Sequence, residues 1–313
     1  MDQQKNIVVV CGPTASGKTA LGAALALAHG GEVVSADSMQ IYRGMDIGTA
    51  KPTAEEMTGV PHHMLDIAVP GEDYSVARYV QEAAAQVENI LSRGRLPIVV
   101  GGTGLYIDNL VAGREFAPFS GLWRRRLQDR AREEGIEALY AQLRSVDPER
   151  AARLHLHDEK RILRALEVWY ETGETITDHD RRTRNLPPRY HALRLGLDFL
   201  RREDLWAHID RRVDQMMAQG LAEEVRALLE AGVPPSCTAM QAIGYKELAA
   251  ALRGEVPLEA AVEEVKLRSR QYAKRQRTWF RRTPGVRWLY WGASPDFERA
   301  RQEATAYLGE FGL

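Results

Sequence analysis

The chain is poor in cysteine. Cys11 and Cys237 are the only two and lie far apart, which excludes a disulfide framework and a cysteine-rich metal site. Long hydrophobic runs are missing too: the longest weakly apolar stretch, Ala20 to Ala28, is far short of the roughly 18 residues a membrane span needs. The N-terminal MDQQKNIVVV has no charged segment leading into a long apolar one, so no signal peptide is read there. A soluble, cytoplasmic chain in a reducing compartment is expected. No fixed-period repeat or low-complexity tract is visible. What remains is ordinary globular composition: 313 residues, 44% hydrophobic and 27% charged, enough for a sizeable core and, by length, about two domains. Net charge is only −1, which alone argues against a nucleic-acid partner. Acidic residues, however, are absent from one whole stretch. From Lys266 to Arg282 the basic residues Lys266, Arg268, Arg270, Lys274, Arg275, Arg277, Arg281 and Arg282 alternate with Tyr272, Trp279 and Phe280. That mixture suits contacts to a phosphate backbone, with aromatics free to pack or stack.

Asn6 to Cys11 is a β-branched run that reads as a buried strand, followed by a Gly-rich turn and an Ala/Leu-rich helix. Further strands are expected at Glu32–Ala36 and Pro97–Val100, with an amphipathic helix from Tyr74 to Arg93 and an irregular loop from Gly44 to Gly71. This alternation predicts an α/β fold with a parallel sheet flanked by helices. After Arg114 the pattern turns helical and charge-rich until about Pro188; Ala192–Leu200 and Val286–Trp291 then read as strands again. The simplest organisation is a phosphate-loop α/β core made of residues 1–114 and 190–313, with C-terminal helices, interrupted by an inserted all-helical domain at 115–189.

Gly12-Pro13-Thr14-Ala15-Ser16-Gly17-Lys18-Thr19 matches the phosphate-binding loop (P-loop) pattern in full, between a strand and a helix. Its glycines allow successive amides to point inward, and the helix N-terminus adds partial positive charge. Lys18 is placed to reach phosphate oxygens and the Thr19 hydroxyl to ligate Mg²⁺. Asp37 and Thr103 close the second and third strands, on the sheet edge where open α/β folds bind ligands. Asp37 is either a general base or the acceptor of an Asx turn; Thr103 is either a site residue or a helix cap. Pro61-His62-His63 with Asp66, and Asp178-His179-Asp180, read as loops rather than metal sites.

The segments GPTASGKT, SADSMQIYRGMDIGTAKPT, GVPHHMLD, VGGTGLYI, KRILRALEV and QAIGYKEL occur in the order found in bacterial tRNA dimethylallyltransferases (tRNA isopentenyltransferases), and this chain resembles that family over nearly its whole length. The resemblance implies transfer of a dimethylallyl group from dimethylallyl diphosphate to the exocyclic amine of the tRNA adenine just 3′ of the anticodon. It implies that Thr14 to Thr19 contact the donor, with Lys18 and Thr19 on the diphosphate and metal, and that Asp37 accepts from the adenine amine. Asp37, Ser38, Met39 and Gln40 would hold the extruded base, with Thr103 beside it. Arg212 falls at the family's diphosphate-binding arginine, next to Arg211. Lys160, Arg161, Ile162, Leu163 and Arg164, together with Gln241, Ala242, Ile243, Gly244, Tyr245 and Lys246, match its tRNA-contact segments, and Arg124 matches a further one. The helical insertion would then clamp the anticodon stem-loop. A metabolite kinase using ATP, a prenyltransferase acting on free adenylate and a non-catalytic RNA-binding protein remain the alternatives; no membrane or protein partner is implied.

Overall fold

Ile7, Val8, Val9 and Val10 are fully buried, as a strand covered on both faces of a parallel sheet must be. They belong to β1 (Asn6–Cys11), the fourth strand of a six-stranded sheet in a computed structural model that describes residues 5–117, 121–184 and 186–313. The other strands are β2 (Glu32–Ser35), β3 (His62–His63), β4 (Pro97–Gly101), β5 (His191–Phe199) and β6 (Val286–Trp291). Their spatial order is β3-β2-β4-β1-β5-β6, and every pairing is parallel. The five strands expected from sequence are present, with ends shifted by a residue at most.

β3 was not expected. Two histidines carry no strand pattern, and what places them is parallel pairing with β2 and a hydrogen bond to a carboxylate of that neighbouring strand. Glu32 of β2 is 2% exposed and meets His63 Nε2 at 2.7 Å; it also pairs with Arg93 and with Arg95 at 3.1 Å. The Arg93 hydrogen bonds, strengthened by those of His63, hold the Glu32 carboxyl down at about 2 despite its burial. His62 Nδ1 meets the Val60 carbonyl at 2.9 Å, and Asp66 meets Lys51 at 2.6 Å.

The chain divides into two compact units: residues 1–111 with 189–313, and residues 112–188. In the first, Val8, Val10, Leu21, Leu25, Ile98, Val100, Leu195 and Leu197 form the core around the sheet. A second cluster packs Ile41, Tyr42 and Met45 against Leu221, Val225, Met240, Tyr245 and Leu248. Here Glu224 accepts from the backbone amides of Asp46 at 2.9 Å, Ile47 at 2.8 Å and Gly48 at 3.1 Å, and from the Tyr245 hydroxyl at 2.6 Å. One carboxylate thus shapes the whole DIG turn. The 112–188 unit is helical, with Leu127, Leu139, Leu143, Ile162 and Leu166 at its centre. Its fully buried Glu167 is satisfied by Arg124 at 2.7 Å and Arg164 at 2.9 Å.

Candidate active site

The loops leaving the carboxyl ends of β1, β2 and β4 converge on one cleft of about 610 Å³. After β1 the backbone passes through Gly12 at φ 143°, Ala15 at 61° and Gly17 at 81°. A Cβ at Gly12 would stand 2.2 Å from the Leu197 carbonyl oxygen, so this turn needs glycine for space as well as for its torsion angle. The helix Lys18–Ala28 then begins at Gly17 with no side-chain cap, leaving its first amides to an anion.

Thr14, Ala15, Ser16, Gly17, Lys18 and Thr19 line the cleft together with Asp37, Gln40, Arg212, Tyr272 and Gln276; Gly12 and Pro13 are buried behind them. Lys18 Nζ donates to the Pro13 carbonyl at 2.6 Å. Burial, then the nearby Arg212 charge, lower the Lys18 pKa to about 8, with Asp37 pulling the other way. Burial also lowers that of Arg212, again opposed by Asp37 and by Glu56. Neither cation pairs with a carboxylate among the described residues, so two positive charges meet in a low-dielectric cleft. That arrangement suits an anion. Arg211 points outward and is exposed, which separates the two neighbours: Arg212 belongs to the cleft and Arg211 does not.

Asp37 closes the Asx turn and lines the cleft. Its Oδ1 accepts from the amides of Met39 at 2.8 Å and Gln40 at 3.4 Å, an Asx turn. Its Oδ2 accepts no hydrogen bond from the described residues. Thr103 Oγ1 accepts from the Ser38 amide at 3.1 Å, which ties the end of β4 to the Asp37 turn. The Gln40 amide group donates to the Thr49 carbonyl at 3.2 Å and the Ala50 carbonyl at 3.0 Å, and its Oε1 accepts from Ser35 at 3.0 Å. It shapes the far wall, where Ile47, Pro52, Leu65 and Met216 are also found. Thr19 Oγ1 has no partner among the described residues, and the buried Ser16 Oγ has none either. A lone hydroxyl beside a phosphate cradle fits a Mg²⁺ ion carried chiefly by a bound phosphate and water.

Elsewhere the structure sorts the expected contacts. Lys160 and Arg161 are exposed, whereas Ile162 and Leu163 are buried in the helical unit's core at 0% and 2% exposure. Arg124 and Arg164 hold Glu167. Gln241 and Lys246 are exposed, Ala242 and Ile243 half-buried, and Gly244 and Tyr245 buried. Within these expected contact segments, the side chains of Ile162, Leu163 and Tyr245 pack in the cores and hold the fold.

The acid-free stretch lies on the helix Leu258–Arg282, and its charges are mostly answered from afar. Lys266 pairs with Asp214 at 2.8 Å, Arg268 with Glu264 at 2.6 Å and Arg270 with Asp210 at 2.7 Å. Arg277 and Arg281 meet the fully buried Asp198 at 2.7 and 3.4 Å. Lys274, Arg275 and Arg282 are exposed and pair with no carboxylate among the described residues. Sequence reasoning missed Tyr272, Gln276 and His208, all of which line the cleft. The signal was helical spacing: His208 stands one turn before Arg212, and Tyr272 one turn before Gln276.

The family described as IPP transferase matches residues 40–283. A tRNA dimethylallyltransferase of Desulforudis audaxviator is 50% identical, covering 90% of this chain and 91% of its own length. That of Acetivibrio thermocellus is 44% identical over 98% and 99%. Among solved structures, the tRNA isopentenylpyrophosphate transferase of Bacillus halodurans is similar with a TM-score of 0.72 at 39% identity, covering 98% of each chain. A eukaryotic dimethylallyltransferase acting on tRNA reaches a TM-score of 0.86 at 31% identity, over 98% of this chain and 79% of its own.

Proposed function

The chain belongs to the IPP transferase family, and from that premise we propose that it prenylates tRNA, moving a dimethylallyl group from dimethylallyl diphosphate to the exocyclic amine of the adenine 3′ of the anticodon. The observation that carries the reading is the pairing of charges in the cleft. Two unneutralised cations, Lys18 and Arg212, face the same space as a carboxylate oxygen with no partner among the described residues.

The loop amides, Lys18 and Arg212 would hold the diphosphate. As the allylic C–O bond breaks, its electron pair leaves with the diphosphate, and these fixed positive groups stabilise the growing charge. The amine lone pair forms the new C–N bond, and the amine proton passes to Asp37 Oδ2. An aromatic amine is a weak nucleophile, so Asp37 contributes by alignment as much as by proton removal. Thr19 Oγ1 would hold a Mg²⁺ ion, which adds neutralisation of the leaving group when bound. Ile47, Leu65 and Met216 offer an apolar wall for the prenyl tail. The adenine must leave the anticodon stack to enter, and the exposed Lys274, Arg275, Arg282, Lys160 and Arg161 supply phosphate contacts.

Two synthetic anticodon stem-loops test this: one with adenine, one with a purine lacking the exocyclic amine at the same place. With labelled dimethylallyl diphosphate, label enters the first and not the second. Equal labelling of both would remove the amine from the reaction.

A further inference from the structure

The helix Leu258–Arg282 has two faces. Its outer face carries Lys274, Arg275 and Arg282, while its inner face enters the site at Tyr272 and Gln276. Gln276 is 5% exposed and uses both ends of its amide. Oε1 accepts from the backbone amide of Thr14 at 2.8 Å, and Nε2 donates to the Gly102 carbonyl at 3.0 Å. Thr14 belongs to the phosphate loop. Gly102 precedes Thr103, which holds the Asp37 turn. A single side chain therefore spans the donor side and the acceptor side of the cleft.

The neighbouring residues are built around this contact. A Cβ at Gly102 would lie 2.1 Å from Gln276 Nε2, and one at Gly104 would lie 2.3 Å from the Trp279 ring. The glycines of GGTG thus admit the helix. Trp279 Nε1 donates to Asp108 at 2.8 Å, fixing the helix to the one, Gly104–Ala112, that follows this turn. Tyr272 stands within hydrogen-bonding reach of Thr103 and Gln276; burial first, then the Asp37 charge, push its phenol up to about 12, so it enters the network as a neutral group.

We infer that Gln276 is a positioning residue: it sets the distance between the phosphate loop and the Asp37 turn, and through it the helix couples RNA binding on its outer face to donor binding in the loop. The inference rests on the functional reading above. A helix clamped at the loop and at the turn can shift only by moving both, and coupling between two ligands is reciprocal.

The test uses the full chain and the variants Gln276→Met, which keeps size and loses both hydrogen bonds, and Gln276→Asn, which keeps the amide one methylene short. Dissociation constants for tRNA and for inorganic diphosphate are measured alone and together, alongside kcat and KM for dimethylallyl diphosphate. Gln276→Met should lower kcat by about 10-fold or more through misalignment and make diphosphate affinity independent of tRNA, while tRNA affinity alone changes by less than about 2-fold. Gln276→Asn should fall between, and it carries the test alone should the Met variant fail to fold. Unchanged kcat with coupling retained would overturn the inference, as would a loss of kcat matched by an equal loss of tRNA affinity. A wild type that binds diphosphate and tRNA with coupling, but transfers no prenyl group, would sink the functional reading and leave the Gln276 link standing.

Discussion

Replacing Glu32 by Gln should cost stability in a way that depends on pH. The carboxyl sits at about 2 against an ordinary 4.5, chiefly through its hydrogen bonds to Arg93 and then to His63. A gap of that size corresponds to about 3 kcal/mol of folding stability at neutral pH. The Arg93 and Arg95 side chains are 40% and 49% exposed, so screening by water and salt trims this to about 2 kcal/mol. The sign follows from a depressed folded-state pKa. The contribution is fully present above the unfolded value near 4.5 and is lost as pH falls from there toward 2. Urea unfolding of wild type and Glu32→Gln from pH 7 down to pH 3 reads the difference directly. The variant should be less stable by about 2 kcal/mol at pH 7, the gap should hold to about pH 5, and it should then close. A gap that stays constant to pH 3 would refute the claim that Arg93 and its neighbours hold the Glu32 carboxylate ionised.

Asp37→Ala should lower turnover by roughly 10²-fold or more while leaving tRNA affinity nearly intact, as single-turnover kinetics and filter binding would show. Lys274→Glu, Arg275→Glu and Arg282→Glu should each weaken tRNA binding and flatten its salt dependence, the log–log slope falling by about 0.7 to 0.9 for every phosphate no longer neutralised. Arg277→Glu should instead lower the melting temperature, because it removes the shorter of the two arginine contacts to the buried Asp198 and sets a second carboxylate beside it. Glu167→Ala leaves Arg124 and Arg164 without their shared carboxylate and should destabilise the 112–188 unit by about 3 to 5 kcal/mol, read as a lower urea midpoint.

The strands at Asn6–Cys11 and Pro97–Gly101 were legible because strands buried on both faces of a parallel sheet read as unbroken apolar runs. His62–His63 was not, since its place is fixed by Glu32, about thirty residues earlier in the chain, and by no local pattern. The phosphate loop announced itself by spacing and context. The basic helix was legible as composition and misleading as surface: Asp198 and Asp210 reach it from other elements and neutralise arginines that the stretch itself leaves unpaired. Helical phase made the remaining difference. It turns Arg212 into the cleft and Arg211 out of it, hides Ile162 and Leu163 behind Arg161, and aims Gln276 inward from among cations that face solvent.

The most direct measurement incubates the protein with Mg²⁺, unmodified bulk tRNA and radiolabelled dimethylallyl diphosphate, with labelled ATP in a parallel tube. Label should pass from the prenyl donor into acid-precipitable RNA, and none should pass from ATP. Phosphate moving from ATP to a small acceptor, with no label in RNA, would contradict the proposed prenyl transfer and make the loop that of a kinase.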